Sequence, residues 1–437
     1  MHIAVIGAGY VGLVAGSALA DFGLSVTSVD IDKERIQRLR RGELPIYEPG
    51  LEELVRRNIN VGRLHFSTDI GSAVKDSLVI FIAVGTDAGP DGLPDLSQVW
   101  SAAEAIADHM DEYKVVVIKS TVPVGTAAEL RQRIARRLKQ PTDFDVVSNP
   151  EFLREGSAVE DFFHPNRIVI GSSSDRALAI MKDIYRSLYL IDTPFVFTTC
   201  ETAEVIKYAA NSFLAVKISF VNELANLCDA IGSAADVHVV ARALGLDRRI
   251  GPKFLHPGPG FGGYCFPKDT RALCMIARKF GVVFRTVEAA VAVNDTQFLR
   301  VIEKVRHGLG SIAGKTVTVL GLSFKPNTDD IRESRALKIC EALLTEGCKL
   351  RVFDPVAITQ SSAILKNARV EYCANAYEAA QGGDALIVAT EWNEFRNLDL
   401  LKLRAVMQGD LLVDARNIFD VEKAKKAGFR YYGTGRR

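Results

Sequence analysis

His2-Ile3-Ala4-Val5-Ile6-Gly7-Ala8-Gly9-Tyr10-Val11-Gly12, followed by a second β-rich run, Val26-Thr27-Ser28-Val29, that ends on Asp30, decides the fold of this 437-residue chain. A short strand that runs straight into three spaced glycines and then a helical pattern is a dinucleotide-binding turn. Gly7 allows the tight turn, Gly9 the approach of a pyrophosphate, and Gly12 close packing of the helix on the sheet. Asp30 lies 18 residues after Gly12, where a carboxylate can accept hydrogen bonds from an adenosine ribose. It also repels a 2′-phosphate, so NAD is expected rather than NADP, although Lys33 and Arg35 stand close by.

Outward from this unit, short β-rich runs alternate with amphipathic helical stretches: residues 2 to 6, 25 to 29, 78 to 84, 114 to 118, 144 to 147 and 167 to 171 read as strands. Such alternation predicts a parallel sheet covered by helices on both faces. From Glu201 to about Ile231 runs one long helical pattern without Pro or Gly, too long for a crossover helix. Residues 232 to 310 continue mainly helical around a Gly- and Pro-rich loop from Gly251 to Pro267. A second α/β pattern then begins at Lys315 to Leu320, with a helix from Arg335 to Glu346 and later strands at Lys349 to Phe353, Ala385 to Thr390 and Leu411 to Asp414. The expected architecture is α/β, with two doubly wound parallel-sheet domains, 1–199 and 311–437, joined by a long helix and a helical region, 200–310. After its first strand the second half carries Gly321-Leu322-Ser323-Phe324-Lys325, which lacks the three-glycine turn. A second intact dinucleotide is therefore not expected there.

Composition excludes several classes. A formal net charge of +1 gives no global field toward nucleic acid or an anionic membrane, and the basic run Arg131 to Lys139 reads as a solvated helix face. Nowhere are there about 18 consecutive apolar residues, and the N-terminus enters a strand directly, so neither a membrane span nor export is expected. Seven cysteines lie scattered without a C-x-x-C pair or a nearby histidine cluster. That pattern indicates neither a zinc site nor a disulfide framework, and it fits a reducing cytoplasm.

Cys265 stands apart, in Gly258-Pro259-Gly260-Phe261-Gly262-Gly263-Tyr264-Cys265-Phe266-Pro267-Lys268-Asp269. The glycines permit close approach of backbone to a ligand. Pro267 suits the first turn of a helix, placing the thiol near a helix N-terminus that favours thiolate, with Lys268 close by. A thiol can capture an aldehyde as a thiohemiacetal, which a second hydride transfer turns into a thioester for water to release. Together with the dinucleotide turn, this predicts oxidation of an alcohol to an acid with NAD. Alone, a cysteine is more often a buried apolar residue.

On the long helix Glu204, Lys207 and Asn211 share a face. A lysine and an asparagine there can stabilise an alkoxide or oxyanion, whereas a Glu204–Lys207 ion pair facing solvent is the simpler alternative. In Asn149-Pro150-Glu151-Phe152-Leu153-Arg154-Glu155, Glu151 and Glu155 share a face if the segment is helical, and either could activate water. The hydroxyls of Ser120-Thr121-Val122-Pro123-Val124-Gly125-Thr126 fall at the carboxyl edge of the sheet, where helix capping explains them equally well. The loop Phe324 to Arg335 carries three cations, suited either to a diphosphate or to pairing with its own acids.

These runs, with Pro45-Ile46-Tyr47-Glu48-Pro49-Gly50-Leu51, Val84-Gly85-Thr86, Arg249-Ile250-Gly251 and Phe324-Lys325-Pro326, resemble the UDP-glucose/GDP-mannose dehydrogenase family over nearly the whole chain, most closely its UDP-glucose-oxidising branch. The resemblance implies a four-electron oxidation of a nucleotide sugar at C6, consuming two NAD and one water. It implies Cys265 as nucleophile, Lys207, Asn211 and Asp269 in alcohol deprotonation and oxyanion stabilisation, and Thr121, Glu151 and Glu155 in positioning water. NAD would lie against Gly7, Gly9, Val11, Gly12, Asp30, Arg35, Thr86, Thr121, Glu155, Lys268 and Arg332. UDP-glucose would lie against Glu151, Phe152, Leu153, Arg154, Glu155, Lys207 and Asn211, the loop residues Phe254, Leu255, His256, Pro257, Gly258 and Gly260, and Lys325, with Arg249 reaching in from a second subunit of a homodimer. GDP-mannose or a UDP-N-acetylhexosamine is the alternative substrate. A two-electron dehydrogenase with a structural Cys265 and a nucleotide-sugar sensor are the rivals of other classes. Three positions depart from the family pattern: Tyr264 stands where a small residue is usual, Asp87 where proline is common, and Asn166 where aspartate is common. Tyr264 either alters sugar preference or packs behind the loop.

Overall fold

The computed structural model describes residues 1–89 and 92–436. The chain divides into two compact units, Met1–Ala210 and Asn211–Arg437. The first holds an eight-stranded sheet: β1 His2–Ile6, β2 Ser25–Val29, β3 Leu64–Ser67, β4 Val79–Ile82, β5 Lys114–Ile118, β6 Phe144–Ser148, β7 Ile168–Gly171 and β8 Phe195–Thr198. Their order is 3-2-1-4-5-6-7-8. Alternating side chains supply two apolar layers, as strands covered on both faces must. Ile3, Val5, Phe81 and Val117 pack on one side, and Ala4, Ile6, Ile80 and Val116 on the other. The strand order turns between β1 and β4, so the crevice outside their carboxyl ends is where a ligand of such a sheet binds. Gly7 follows β1 directly.

The expected sheet is thus present, with two differences. The edge strands β3 and β8, four residues each, went unrecognised in the sequence. β7 pairs with β6 antiparallel, Ser148 opposite Gly171. The only helix between them, Ala158–Phe163, has six residues. It does not carry the chain back across the sheet, so β7 is entered from the carboxyl edge of β6.

The second unit holds β9 Thr316–Leu320, β10 Lys349–Phe353, β11 Val370–Tyr372, β12 Ala385–Val388, β13 Leu411–Asp414 and β14 Arg430–Gly433, all parallel in the order 11-10-9-12-13-14. β11 and β14, both at the edges, went unrecognised in the sequence. Asp354 follows β10 as Asp30 follows β2, but its buried carboxylate accepts from the backbone N–H groups of Leu322, Ser323, Val356 and Ala357 and from the Trp392 indole. The protein itself fills the position that would read a ribose. One uninterrupted helix, Cys200–Ile231, is about 48 Å long at the usual rise.

Within the basic run on the helix Thr126–Arg137, Arg133 bonds Glu129 and lies over the Trp100 ring, and Arg137 bonds Asp108. Among the described residues no helix is long and apolar enough to cross a membrane, and no three His, Cys, Asp or Glu side chains are grouped to hold a metal ion.

Candidate active site

In the first unit, Gly7 has φ 101°, the left-handed region that favours glycine. A Cβ there would lie 2.6 Å from the Ala83 carbonyl oxygen, and one on Gly12 would strike the carbonyl of Gly7. A Cβ on Gly9 would meet nothing within 4 Å. The turn is therefore packed at its first and third glycines and open at the second, the side on which a pyrophosphate must approach. The helix Tyr10–Asp21 starts there without a side-chain cap, so its first N–H groups suit an anion. Asp30 accepts from Ala8 N at 2.8 Å, from Asp32 N at 3.0 Å and from the Arg35 guanidinium at 2.9 Å. Arg35 is thereby taken by the acid that a 2′-phosphate would have to face. The Thr86 hydroxyl donates to the Thr121 carbonyl at 2.9 Å, joining the loops after β4 and β5. Packed turn, open glycine, bare helix end and terminal acid together fit NAD.

The segment after β6 is not helical, so Glu151 and Glu155 do not share a helix face: the helix begins only at Ala158. Pro150, lacking a donor, and the Glu151 side chain, which takes the Leu153 N–H at 2.6 Å, favour an extended turn instead. Lys207 donates to both the carbonyl and the carboxylate of Glu151, each at 2.8 Å, and both side chains are buried. Burial opposes ionisation of Glu151, yet Lys207, the Leu153 N–H and Lys119 hold its pKa below the ordinary carboxylate value. Lys119, the residue before Ser120, is a second buried amine. It donates to Asn149 Oδ1 at 3.0 Å and to the Tyr185 hydroxyl at 3.3 Å, and burial pulls it down to about 8. Arg167 stacks over the Phe152 ring, 3.5 Å from its centroid, with the Lys207 ammonium 5.5 Å away. Arg154 is held by Asp161.

Glu204 does not pair with Lys207. Its carboxylate accepts from Gly125 N at 2.7 Å and Ala127 N at 2.9 Å, and burial raises it to about 7. It thus caps the helix that the Ser120–Thr126 hydroxyls were candidates to cap. Two of them bond backbone carbonyls instead: Ser120 to Val84, and Thr126 to Pro123. Glu204, Lys207 and Asn211 on one helix face each engage a different partner.

In the second unit Cys265 is the first residue of the helix Cys265–Lys279 and partly exposed. The other six thiols are all pushed up by burial, Cys200 to about 11 and Cys340 to about 12. Asp269, buried one turn on, receives Lys268 Nζ at 2.7 Å and Asn211 Nδ2 at 2.6 Å. The glycine loop before Cys265 is clamped by buried Asn294, which bonds both N and O of Phe261, and by Arg335, which donates to the Phe261 carbonyl at 3.0 Å. Gly258 N donates to Asn222 at 2.8 Å. Phe254, Asn327 and Glu333 adopt positive φ, so backbone strain gathers in the two loops expected to meet the substrate. The Tyr264 ring carries Arg332 at 4.2 Å and Lys268 at 5.2 Å. Arg332 is also forked onto Asp330, Lys325 lies over Phe324, and Arg249 is held by Asp247. The three-cation loop therefore pairs Arg332 with its own acid but sends Arg335 to the cysteine loop.

Family models match all three parts of the chain: the NAD binding domain over residues 1–189, the central domain over 201–296 and the UDP binding domain over 318–421. The chain belongs to the UDP-glucose/GDP-mannose dehydrogenase family. As a member it is an NAD-dependent oxidoreductase. It is 50% identical over 440 residues to a UDP-glucose 6-dehydrogenase of Rhizobium meliloti, covering all of both chains. Among solved structures it resembles a UDP-glucose dehydrogenase of the archaeon Pyrobaculum islandicum, with TM-score 0.92 at 39% identity over 100% of this chain and 98% of that one. It also resembles a UDP-D-ManNAc dehydrogenase of Pyrococcus horikoshii, with TM-score 0.87 at 28% identity over 100% and 99%. Family membership gives the second sheet its ligand class, a UDP group, and agrees with the closure of its ribose-reading position by Asp354. The sequence had not marked Glu48, Lys119, Arg167, Asn294 or Arg335 as site residues, although Glu48 and Arg335 stand inside runs that it singled out.

Proposed function

We propose that this dehydrogenase oxidises UDP-glucose at C6 to UDP-glucuronate, taking up one water and reducing two NAD, with Cys265 as the covalent nucleophile. The observation that carries the reading is Cys265 itself: a partly exposed thiol at the first position of a helix, after a glycine loop, in a chain that also has the NAD turn. NAD, when bound, supplies the hydride acceptor in both oxidations. Lys207, Asn211 and Asp269 serve the alcohol proton and then the oxyanion. Asn211, bonded to Asp269, presents a fixed amide; Lys207 is held in place by the carbonyl and carboxylate of Glu151. The thiolate of Cys265 adds to the C6 aldehyde to give a thiohemiacetal, whose oxidation leaves a thioester. Glu151 or Glu155, with Thr121, directs water to the thioester, and the thiolate departs.

UDP-glucose is favoured over another nucleotide sugar by the 50% identity to the Rhizobium enzyme against 28% to the Pyrococcus one. The division 1–199, 200–310 and 311–437 is proposed as cofactor-binding, connecting and UDP-sugar-binding parts. A cytoplasmic homodimer is proposed as the working form. Phe213, Phe220 and Leu227 lie exposed at seven-residue spacing on the long helix, as a helix-pairing seam requires, and sedimentation measures it. Cys265→Ala and Cys265→Ser test the chemistry. Loss of UDP-glucuronate, followed by mass spectrometry, supports the nucleophile; retained acid formation removes it.

A further inference from the structure

We propose that Glu48 is a positioning residue that ties the NAD turn to the loop of candidate catalytic carboxylates, with Tyr10 as its partner. Glu48 lies in Pro45–Leu51, a run that none of the chemistry above uses, and its carboxylate is buried. One oxygen accepts from Ala158 N at 2.7 Å; the other accepts from Gly156 N at 2.6 Å and from the Tyr10 hydroxyl. Its two backbone partners stand 110 and 108 residues away in sequence.

Both ends of this tie are functional segments. Tyr10 sits between Gly9 and Val11 and opens the helix whose N-terminus faces the pyrophosphate side. Gly156 follows Glu155 and adopts φ 78°, so its N–H direction fixes where the Glu155 side chain leaves the backbone. Burial and then the Glu48 carboxylate push the Tyr10 phenol far up, and Glu155 adds to the rise. Tyr10 thus remains a donor, and its hydroxyl feels both acids.

A buried carboxylate is a costly way to hold two loops together if stability alone is at stake, because apolar packing does as well. What the charge adds is register: three donors converge on one group, and any shift of the turn moves the Glu155 loop with it. Misplacement of a reacting group by about 1 Å costs on the order of a hundredfold in rate.

The test uses the full-length protein and Tyr10→Phe, which removes one oxygen, with Glu48→Gln alongside. NADH binding is read by its fluorescence without any sugar nucleotide, and kcat is read at saturating UDP-glucose and NAD. The expected result is NADH binding weakened about tenfold in each variant, the factor for a lost charge-assisted hydrogen bond, with a lower kcat and UDP affinity unchanged by calorimetry. The double variant is expected to be no worse than the poorer single one, because the two side chains act as one unit. A lowered melting temperature with NADH affinity and kcat within twofold of wild type would overturn the proposal. So would two effects that simply add. The kcat arm rests on the proposed function, whereas NADH binding does not: if the sugar is wrong the binding result still stands. If Glu48→Gln fails to fold, Tyr10→Phe decides.

Discussion

Lys119→Met probes how the chain holds two buried amines and one buried acid in a single cluster. Lys119 sits at about 8 rather than 10.5, chiefly through burial, with Glu151 opposing the fall and Lys207 adding to it. The folded value lies below the unfolded one, so the penalty for a charged amine is fully present below pH 8. It is relieved as pH rises from 8 through 10.5. A gap of that size is worth about 3 kcal/mol. Wild-type stability should therefore gain about 3 kcal/mol relative to Lys119→Met between pH 7 and pH 10.5. The methionine leaves Asn149 Oδ1 one donor, the Tyr185 hydroxyl at 2.7 Å, so the variant should fold. Urea unfolding at several pH values, variant against wild type at each, cancels the groups common to both. Stability curves that stay parallel across that range would refute the reasoning. In kinetics the same change removes one of the cations that hold Glu151 low, so the acid limb of kcat should move to higher pH.

Glu204→Gln should act with the opposite slope. Glu204 is raised from 4.5 to about 7, so its contribution is present below pH 4.5 and lost as pH rises through 7, about 3 kcal/mol in wild type and absent from the variant in denaturation at pH 4.5 and 8. Lys207→Met leaves the Glu151 carboxylate buried beside an apolar side chain and should cost about 3–5 kcal/mol, read as a lowered urea midpoint. Gly263→Ala places a Cβ 2.7 Å from the Phe324 ring at φ 79°. It should destabilise the protein by about 1–3 kcal/mol and alter the alkylation rate of Cys265, which iodoacetamide labelling measures.

The sequence revealed what local pattern controls. The first glycine turn, Asp30, the long helix and the helix start near Cys265 are each written in one continuous run of sequence, because turn chemistry and side-chain period act locally. What escaped depends on distant partners. β3, β8, β11 and β14 are short edge strands defined by the neighbour they join. Glu204 reads as half of an i,i+3 ion pair until Gly125 and Ala127 are brought to it. Glu151 and Glu155 share a face only on a helix that Pro150 and the Leu153 N–H disfavour. Glu48, Asn294 and Arg335 are polar residues that only the folded chain buries. Tyr264 could be seen to depart from the family pattern, but its stacking with Arg332, 68 residues away, could not.

The most direct test of the central claim is the yield of NADH per sugar nucleotide, followed by absorbance with limiting UDP-glucose and excess NAD. UDP-galactose, UDP-N-acetylglucosamine and GDP-mannose serve as parallel substrates. Two NADH per UDP-glucose, with the uronate as product, is the predicted result. One NADH per UDP-glucose, with an aldehyde released, would contradict it.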